Sequence, residues 1–187
     1  DVLVNNAGYG LIGAIEEVGE DEARALIDTD LLGPLWLTQA ALPAMRAQGA
    51  GHIVQISSVG GVGAMPFIGL YNAAKWGLEG FSDALAGEAA AFGSRVTLAE
   101  IGAMDTGWAT SSMRFSSPLR AYDELRATML GTTEVPWPSE AGATGGGTSP
   151  HEVAEQLYAH VTGSDYGPLL LVLGVAAPTQ IAEIGRA

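Results

Sequence analysis

A tyrosine and a lysine four residues apart form the pair in this sequence best suited to acid–base chemistry. Tyr71 and Lys75 lie in a segment whose apolar spacing predicts a long helix, so both side chains project within reach of a common ligand. Lys75 is the only lysine, beside seven arginines. Its ammonium is expected to lower the pKa of the phenol from an ordinary value of about 10. The pair predicts a proton donor and acceptor, and a solvated helix face is the alternative.

A serine thirteen residues before Tyr71 is the natural partner of this pair. The segment from His52 to Ser57 alternates and is rich in β-branched residues, which predicts a strand, and Ser58 follows it. Because α/β folds place their sites at the carboxyl ends of strands, we expect the Ser58 hydroxyl to hold the same substrate oxygen that Tyr71 protonates.

The elements that position these residues alternate between strands and helices. Strands are predicted at 1–4, 52–57, 95–101 and 169–173, and helices at 20–48, about 70–92 and 151–161. This alternation predicts an α/β fold with a parallel sheet, in a single domain over residues 1–187. Residues 102 to about 150 are predicted to be a long irregular region, which in such folds is usually functional or mobile, with a flexible low-complexity tail at 141–149.

The helix that carries Tyr71 also has an apolar face, which we expect to pack on the sheet. Its members follow helical spacing and are Leu70, Ala74, Gly77, Phe81, Leu85, Ala89 and Phe92. On this prediction Tyr71, Lys75 and Ser82 share the other face of the helix.

Composition excludes several classes of function. A net charge of −13 and a pI near 4.3 repel phosphate backbones and anionic lipid, and no apolar run approaches the roughly 18 residues of a membrane span. We therefore predict no nucleic-acid partner and no membrane partner. The absence of cysteine and the three scattered histidines exclude a disulfide framework and make a metal site a poor prospect. A reducing compartment is permitted, and we predict a cytoplasmic location.

Four motifs in this order resemble the short-chain dehydrogenase/reductase family and span nearly the whole chain. They are Asn5-Asn6-Ala7-Gly8, Ile56-Ser57-Ser58, Tyr71-Asn72-Ala73-Ala74-Lys75, and Ile101-Gly102 followed by Thr106. The resemblance implies a Rossmann-like doubly wound parallel sheet. It also implies hydride transfer between a nicotinamide cofactor, NAD or NADP, and a small-molecule alcohol or carbonyl substrate.

The resemblance also implies a role for each matching residue. Tyr71 would be the general acid/base, Ser58 would hold the substrate oxygen, and Lys75, beside Tyr71, would also donate to the nicotinamide ribose. The adenosine side would be lined by Asn6, Ala7 and Gly8, although a simple strand-ending turn is the alternative for this motif. The nicotinamide end would be contacted by Gly102, Met104 through its backbone, and Thr106.

Three departures from the family pattern limit what the resemblance implies. The glycine-rich dinucleotide loop is absent, so we expect roughly 60 to 80 residues to be missing before Asp1 and the chain alone to bind cofactor poorly. Asp30 replaces the catalytic asparagine: its backbone carbonyl would still serve, or its carboxylate would lie near Lys75 and oppose ionisation of Tyr71. Ile101 replaces a proline.

Two further expectations concern substrate and assembly. The resemblance implies that the region from 102 to about 150 contains the substrate-binding loop. Its aromatic and methionine side chains between Thr106 and Pro138 suggest an apolar substrate, or they only pack this loop against the rest of the protein. Leu32, Trp36 and Trp76 lie outside the inward faces of their helices, which predicts a homodimer or homotetramer. A non-catalytic binding or scaffold protein, or an inactive fragment, remains the alternative function.

Overall fold

A computed structural model of the protein describes residues 1–109, 111–136, 147–163, 169–174 and 177–178. Its main sheet contains four parallel strands in the order β1–β3–β4–β6. These strands are β1 (Val2–Asn5), β3 (Gly51–Ser58), β4 (Ser94–Ile101) and β6 (Leu170–Leu173). A second, two-stranded parallel sheet pairs β2 (Leu11–Ile12) with β5 (Arg114–Phe115). The prediction of an α/β fold with a parallel sheet is confirmed.

Helices cover the main sheet on both faces. The described helices are α1 (Glu20–Ile27), α2 (Gly33–Gln48), α3 (Gly69–Ala90), α4 (Asp123–Leu130) and α5 (Pro150–Thr162). Met45 of α2 and Leu85 of α3 pack with Ile53 of β3 in one core cluster, so α2 and α3 share a face. Val153 of α5 packs in a separate cluster with Ala99 of β4. Because side chains alternate along a strand, Ile53 and the residues two positions along β3 face α2 and α3.

The predicted helix at 20–48 is not continuous. A π-helical turn, Asp28–Leu32, joins α1 to α2. Such a turn inserts one extra residue and is often found at functional sites. Asp30, in the middle of it, is completely buried.

The prediction of an irregular segment after β4 is wrong in part. It contains the short strand β5 and the helix α4, which begins with Asp123 and ends with Leu130. Gly131 caps the end of this helix, and its φ of 74° suits glycine. An ion pair between the fully buried Arg126 and Glu17 connects this helix to a distant part of the sequence. A second ion pair joins Arg126 to Asp123 within the helix. Most of the predicted flexible tail, 141–146, lies outside the described residues.

The inward face of α3 also differs from the prediction. Its buried residues are Tyr71, Asn72, Ala74, Lys75, Leu78, Ser82, Leu85 and Ala89. Phe92, expected inside, is 48% exposed, and Tyr71, Lys75 and Ser82, expected on the other face, are buried. Apolar spacing misplaced this face because the side chains at its amino-terminal end are polar and are buried with polar partners.

A histidine pair links β3, β4 and α5 at the end of the sheet opposite to Ser58. The Nε2 atom of His52 lies 2.8 Å from the Thr97 hydroxyl, which lies 2.9 Å from Nε2 of His160. His52 is only 3% exposed. Burial, with smaller effects of Arg95 and His160, lowers the pKa of His52 to about 4.

This pair makes stability depend on pH. His52 is neutral when folded, and its pKa is below the unfolded value of about 6.5, so its stabilising contribution is present above pH 6.5 and is lost as the pH falls towards 4. Acidification from pH 7.5 to 5 should lower the free energy of unfolding by about 2 kcal/mol through this group, and His52→Gln should remove that loss. Urea unfolding at pH 7.5 and at pH 5 measures this loss in the free energy of unfolding. The exposed His151→Gln is the control, and an equal acid loss in His52→Gln and the parent would contradict the assignment.

Candidate active site

The carboxyl ends of three neighbouring strands meet at one edge of the main sheet. β1 ends at Asn5, which pairs with Gln55, while β3 and β4 end together at the paired residues Ser58 and Ile101. The turn after β1, the Ser58 hydroxyl and the segment from Gly102 therefore lie at the same edge. This is where ligands bind in open α/β sheets.

Tyr71 lies in the first turn of α3 and is 6% exposed. Its ring packs against Trp108, with 5.4 Å between ring centroids, and against Leu11 and Leu26. Burial raises the pKa of Tyr71 to about 12; a hydrogen bond with Ser58 opposes this effect and the charge of Asp30 adds to it. The expected lowering of this pKa is wrong, because burial outweighs it and a carboxylate lies beside Lys75.

Lys75 is buried next to Tyr71, one turn further along α3. Its Nζ donates a hydrogen bond of 3.0 Å to the carbonyl oxygen of Ile56 and lies 5.6 Å from the centroid of the Tyr71 ring. The same atom is 3.8 Å from Oδ2 of Asp30. Burial lowers the pKa of Lys75, and the charges of Asp30 and Glu79 oppose that shift.

The carboxylate of Asp30 joins the turn after β1 to Lys75. Oδ1 accepts a hydrogen bond of 3.1 Å from the backbone N–H of Tyr9, and Oδ2, beside Lys75, has no hydrogen-bond donor among the described residues. A Cβ atom at Gly8 would lie 3.0 Å from Oδ2, so glycine fits here because Asp30 occupies the space. Burial raises the pKa of Asp30, and Lys75 opposes that shift. Of the two interpretations of Asp30, the geometry agrees with the carboxylate near Lys75.

A side chain that the sequence analysis did not single out positions the loop after Ser58. Asn72 donates hydrogen bonds to the carbonyl oxygens of Gly60 (2.9 Å) and Gly63 (3.1 Å) and accepts one from the Met65 N–H (3.3 Å). The Gly60 N–H in turn donates to Oγ of Ser58 at 3.1 Å. Its place directly after Tyr71 was the only signal for this residue.

The Asn-Asn-Ala-Gly motif divides into a buried part and an open part. Asn5 is buried and donates to Oε1 of Gln55 (2.8 Å) and the hydroxyl of Thr38 (3.2 Å), so it anchors the end of β1. Asn6 and Ala7 are exposed, and Gly8 is half-buried. The open residues of the turn are thus the ones available to a ligand.

The segment after β4 turns back over Tyr71. The Gly102 N–H donates to the carbonyl oxygen of Leu173 (3.0 Å), the Thr106 N–H to that of Met104 (2.9 Å), and the Trp108 N–H to the Thr106 hydroxyl (3.2 Å). These bonds bring the Trp108 ring against Tyr71. Trp108 was expected only as one of several loop aromatics, and its contact with Tyr71 was not predicted.

A polar cleft of about 370 Å³ opens beside these residues. One wall is formed by Gly8 and Tyr9, and the other by residues 111–114. The guanidinium of Arg114 lies over the Tyr9 ring, 5.3 Å from its centroid. Because the Tyr9 N–H is bonded to Asp30, this wall of the cleft is tied directly to the Asp30–Lys75 pair.

In the described ranges no three histidine, aspartate or glutamate side chains come together as metal ligands. None of the described helices is long and apolar enough to cross a lipid bilayer. The convergent groups at the sheet edge are a phenol, an ammonium, a carboxylate and a hydroxyl, a set suited to proton transfer at an oxygen atom.

Comparison with known proteins agrees with this arrangement. Residues 1–115 match the family model described as short chain dehydrogenase. The chain belongs to the short-chain dehydrogenases. Its Rossmann-like α/β fold also matches a short-chain dehydrogenase from Streptomyces avermitilis, with a TM-score of 0.81, 34% identity and coverage of 98% of this chain and 64% of that one.

Curated relatives show the same family and differ in how much they share. Oxidoreductase BOA17 of Botryotinia fuckeliana is 35% identical over 187 residues, which are 100% of this chain and 65% of that protein. Human 17-beta-hydroxysteroid dehydrogenase type 1 is 40% identical over 108 residues, 58% of this chain and 33% of that protein. The short-chain dehydrogenase described here thus spans less than two thirds of the length of these relatives.

The network around Asn72 leads to a test of the site's architecture. Asn72→Ala removes both donors to the Gly60 and Gly63 carbonyl oxygens, and a lost buried hydrogen-bond partner typically costs 1 to 3 kcal/mol. We expect a loss of about 2 kcal/mol in the free energy of unfolding, measured by urea denaturation. The control is Asp83→Ala, an exposed change on the same helix that should stay within about 0.5 kcal/mol. Equal effects of the two changes would contradict the bracing role of Asn72.

Proposed function

We propose that the protein transfers a hydride between NAD or NADP and a small-molecule alcohol or carbonyl substrate. The observation that carries the proposal is the convergence of Ser58, Tyr71 and Lys75 at the carboxyl edge of the sheet. Family membership supports it, and a metagenomic short-chain oxidoreductase of known structure, 40% identical over 55% of this chain, is in complex with NADP.

Each of the three residues has a separate task in this proposal. Ser58 holds the substrate oxygen beside the phenol, and Tyr71 exchanges a proton with that oxygen. With a pKa of about 12 the phenol is protonated at neutral pH, so it is prepared to donate to a carbonyl oxygen. The nicotinamide cofactor, when bound, supplies or accepts the hydride.

The residues present fit a nicotinamide cofactor at this edge. The Lys75 ammonium has three donors, of which one is used by the Ile56 carbonyl oxygen, so others are available for ribose hydroxyls. The residues that would hold the cofactor are Asn6, Ala7, Gly8, Tyr71, Lys75, Gly102, Met104 and Thr106. Asn6 and Ala7 are open to solvent, as this role requires.

We further propose that the substrate has an apolar body. Trp108 packs against Tyr71, and Tyr9 packs against the cluster that contains Tyr71. Met113, Phe115 and Tyr122 pack into a cluster with Phe67, which Trp108 also contacts, and this favours the packing interpretation for Met113, Phe115 and Tyr122. Relatives over part of the chain are named a hydroxysteroid dehydrogenase and a retinol dehydrogenase, and these names accord with an apolar substrate.

We also propose an oligomeric state, a domain organisation and a cellular location for the protein. Trp36 on α2 and Trp76 on α3 are 56% and 49% exposed, which supports a homodimer or homotetramer built on these helices. We keep a single domain over residues 1–187 and a cytoplasmic location as expectations.

A non-catalytic binding protein of the same fold is the second candidate. The observation that favours it is the carboxylate of Asp30 beside Lys75, because it offsets the charge that would activate Tyr71. The tests below separate the two functions.

Substitution of the proposed acid/base is the direct test. In the complete protein, Tyr71→Phe should lower kcat at least about a hundredfold and leave cofactor affinity nearly unchanged, because only the transferable proton is lost. Lys75→Ala should reduce both kcat and cofactor affinity. Steady-state kinetics with NADH and NADPH, together with cofactor fluorescence titration, measure these effects. Full carbonyl reduction by Tyr71→Phe would exclude the proposed mechanism.

Replacement of Asp30 tests whether its charge opposes the phenol. Asp30→Asn keeps an oxygen that accepts the Tyr9 N–H and removes the negative charge that raises the pKa of Tyr71. We expect turnover to be retained or improved and the limb of the pH–rate profile that reports Tyr71 to move to lower pH. A severe loss of kcat in a folded variant would instead show that the carboxylate takes part in the reaction.

A further inference from the structure

Two glutamates lie near the proposed catalytic residues, Glu79 half-buried on α3 and Glu100 fully buried on β4. Glu79 follows Lys75 by one turn of α3, and its Oε1 accepts a hydrogen bond of 2.5 Å from the Ser57 hydroxyl. Glu100 pairs with Ser57 in the β3–β4 register, so both side chains leave the sheet on the face covered by α3. Glu100 is 1% exposed, and neither of its carboxyl oxygens has a hydrogen-bond partner among the described residues.

The bond between Glu79 and Ser57 holds the backbone that carries Ser58. Ser57 and Ser58 are the last two residues of β3, so fixing the first restrains the second. The loop that follows lies directly on this bond, because a Cβ atom at Gly61 would collide with Oε1 of Glu79 and with Oγ of Ser57. Glu79 therefore contacts both the strand end and the loop on the two sides of Ser58.

The charge of Glu79 acts on Lys75. Burial raises the pKa of Glu79, while the Ser57 hydrogen bond and the charge of Lys75 oppose that shift. Burial and the charge of Glu79 raise the pKa of Glu100 to about 7. The carboxylates whose charges act on Lys75 are thus Asp30 and Glu79. Glu100 on β4 is the carboxyl group that interacts with the charge of Glu79.

We propose that Glu79 is a positioning residue for the reaction: its carboxylate fixes the strand end that carries Ser58 and keeps the Lys75 ammonium charged, while Glu100 beside it holds a proton. Two neighbouring carboxylates do not both ionise readily, so below about pH 7 one proton stays on Glu100 and the negative charge is on Glu79, which has the hydroxyl donor. The positioning role rests on the proposed function. The charge on Lys75 does not.

The single lysine makes the electrostatic part directly measurable. With ¹³C- and ¹⁵N-labelled lysine, NMR of this chain gives one side-chain signal, whose titration reports the pKa of Lys75. Glu79→Gln keeps an oxygen that accepts the Ser57 hydroxyl and removes the charge. We expect the Lys75 titration to move to lower pH by about 0.5 to 1 unit, the effect of removing one nearby charge in a partly shielded site.

Matched variants isolate this effect. Asp30→Asn should shift the Lys75 signal in the same direction, and Glu88→Gln, an exposed change on the same helix, should leave it in place. An unchanged Lys75 titration in Glu79→Gln would overturn the electrostatic part of the proposal. If Glu79→Gln does not fold, Ser57→Ala is the second variant. Loss of the hydroxyl donor should raise the pKa of Glu79, which NMR of ¹³C-labelled glutamate measures. No rise there would overturn the bond on which the proposal depends.

The proton on Glu100 has its own readout. In the parent chain one glutamate carboxyl signal should titrate near pH 7, and it should disappear in Glu100→Gln. If all glutamates of the parent titrate below about pH 6, the shared proton is excluded.

Kinetics of the complete protein then test positioning. Glu79→Ala and Ser57→Ala should each lower kcat about tenfold without changing cofactor affinity, because a displaced Ser58 misplaces the substrate oxygen. Glu79→Gln should retain most of kcat and shift the pH–rate profile, a pattern that a structural defect would not produce. Unchanged kcat in both alanine variants would overturn the positioning role. Failure of the proposed function itself appears separately, as full activity of Tyr71→Phe.

Discussion

Burial of the Lys75 ammonium is the constraint on which the rest of this site depends. An ammonium removed from water is expensive unless it is paired and hydrogen-bonded. Lys75 meets this requirement with the Ile56 carbonyl oxygen at 3.0 Å, Asp30 at 3.8 Å and the charge of Glu79. One side chain thereby connects β3, α3 and the π-helical turn before α2.

The same pairing explains the protonation state of Tyr71. A lone ammonium beside a phenol favours the phenolate, whereas an ammonium already paired with Asp30 exerts less net attraction. Burial then dominates, and the phenol holds its proton at neutral pH. In the proposed reaction Tyr71 therefore starts as a proton donor. The Asp30 carboxylate that favours this state stands where the family pattern has asparagine.

Polar side chains replace apolar packing at the amino-terminal end of α3. Asn72 holds the loop after Ser58, Lys75 is bonded to β3, and Glu79 is bonded to Ser57. Further along the helix, Leu85 and Ala89 pack conventionally against Ile53 and Met45. The apolar half of the helix thus fixes it to the sheet, and its polar half positions the residues of the candidate site.

The sequence by itself determined the alternation of strands and helices, and it predicted that Ser58, Tyr71 and Lys75 come together at the carboxyl edge of the sheet as the candidate site. These follow from local periodicity and from short motifs, both of which act over a few residues. It did not determine the inward face of α3, the helix α4, the pKa of Tyr71, or the neighbours of Glu79. Those depend on burial and on charges brought together from distant segments: Arg126 reaches Glu17, Lys75 reaches Asp30, and Glu100 faces Ser57 only because β3 and β4 pair in one register. Tertiary structure decided them because desolvation and Coulomb energy depend on distances in space, which the spacing of residues along the chain does not specify.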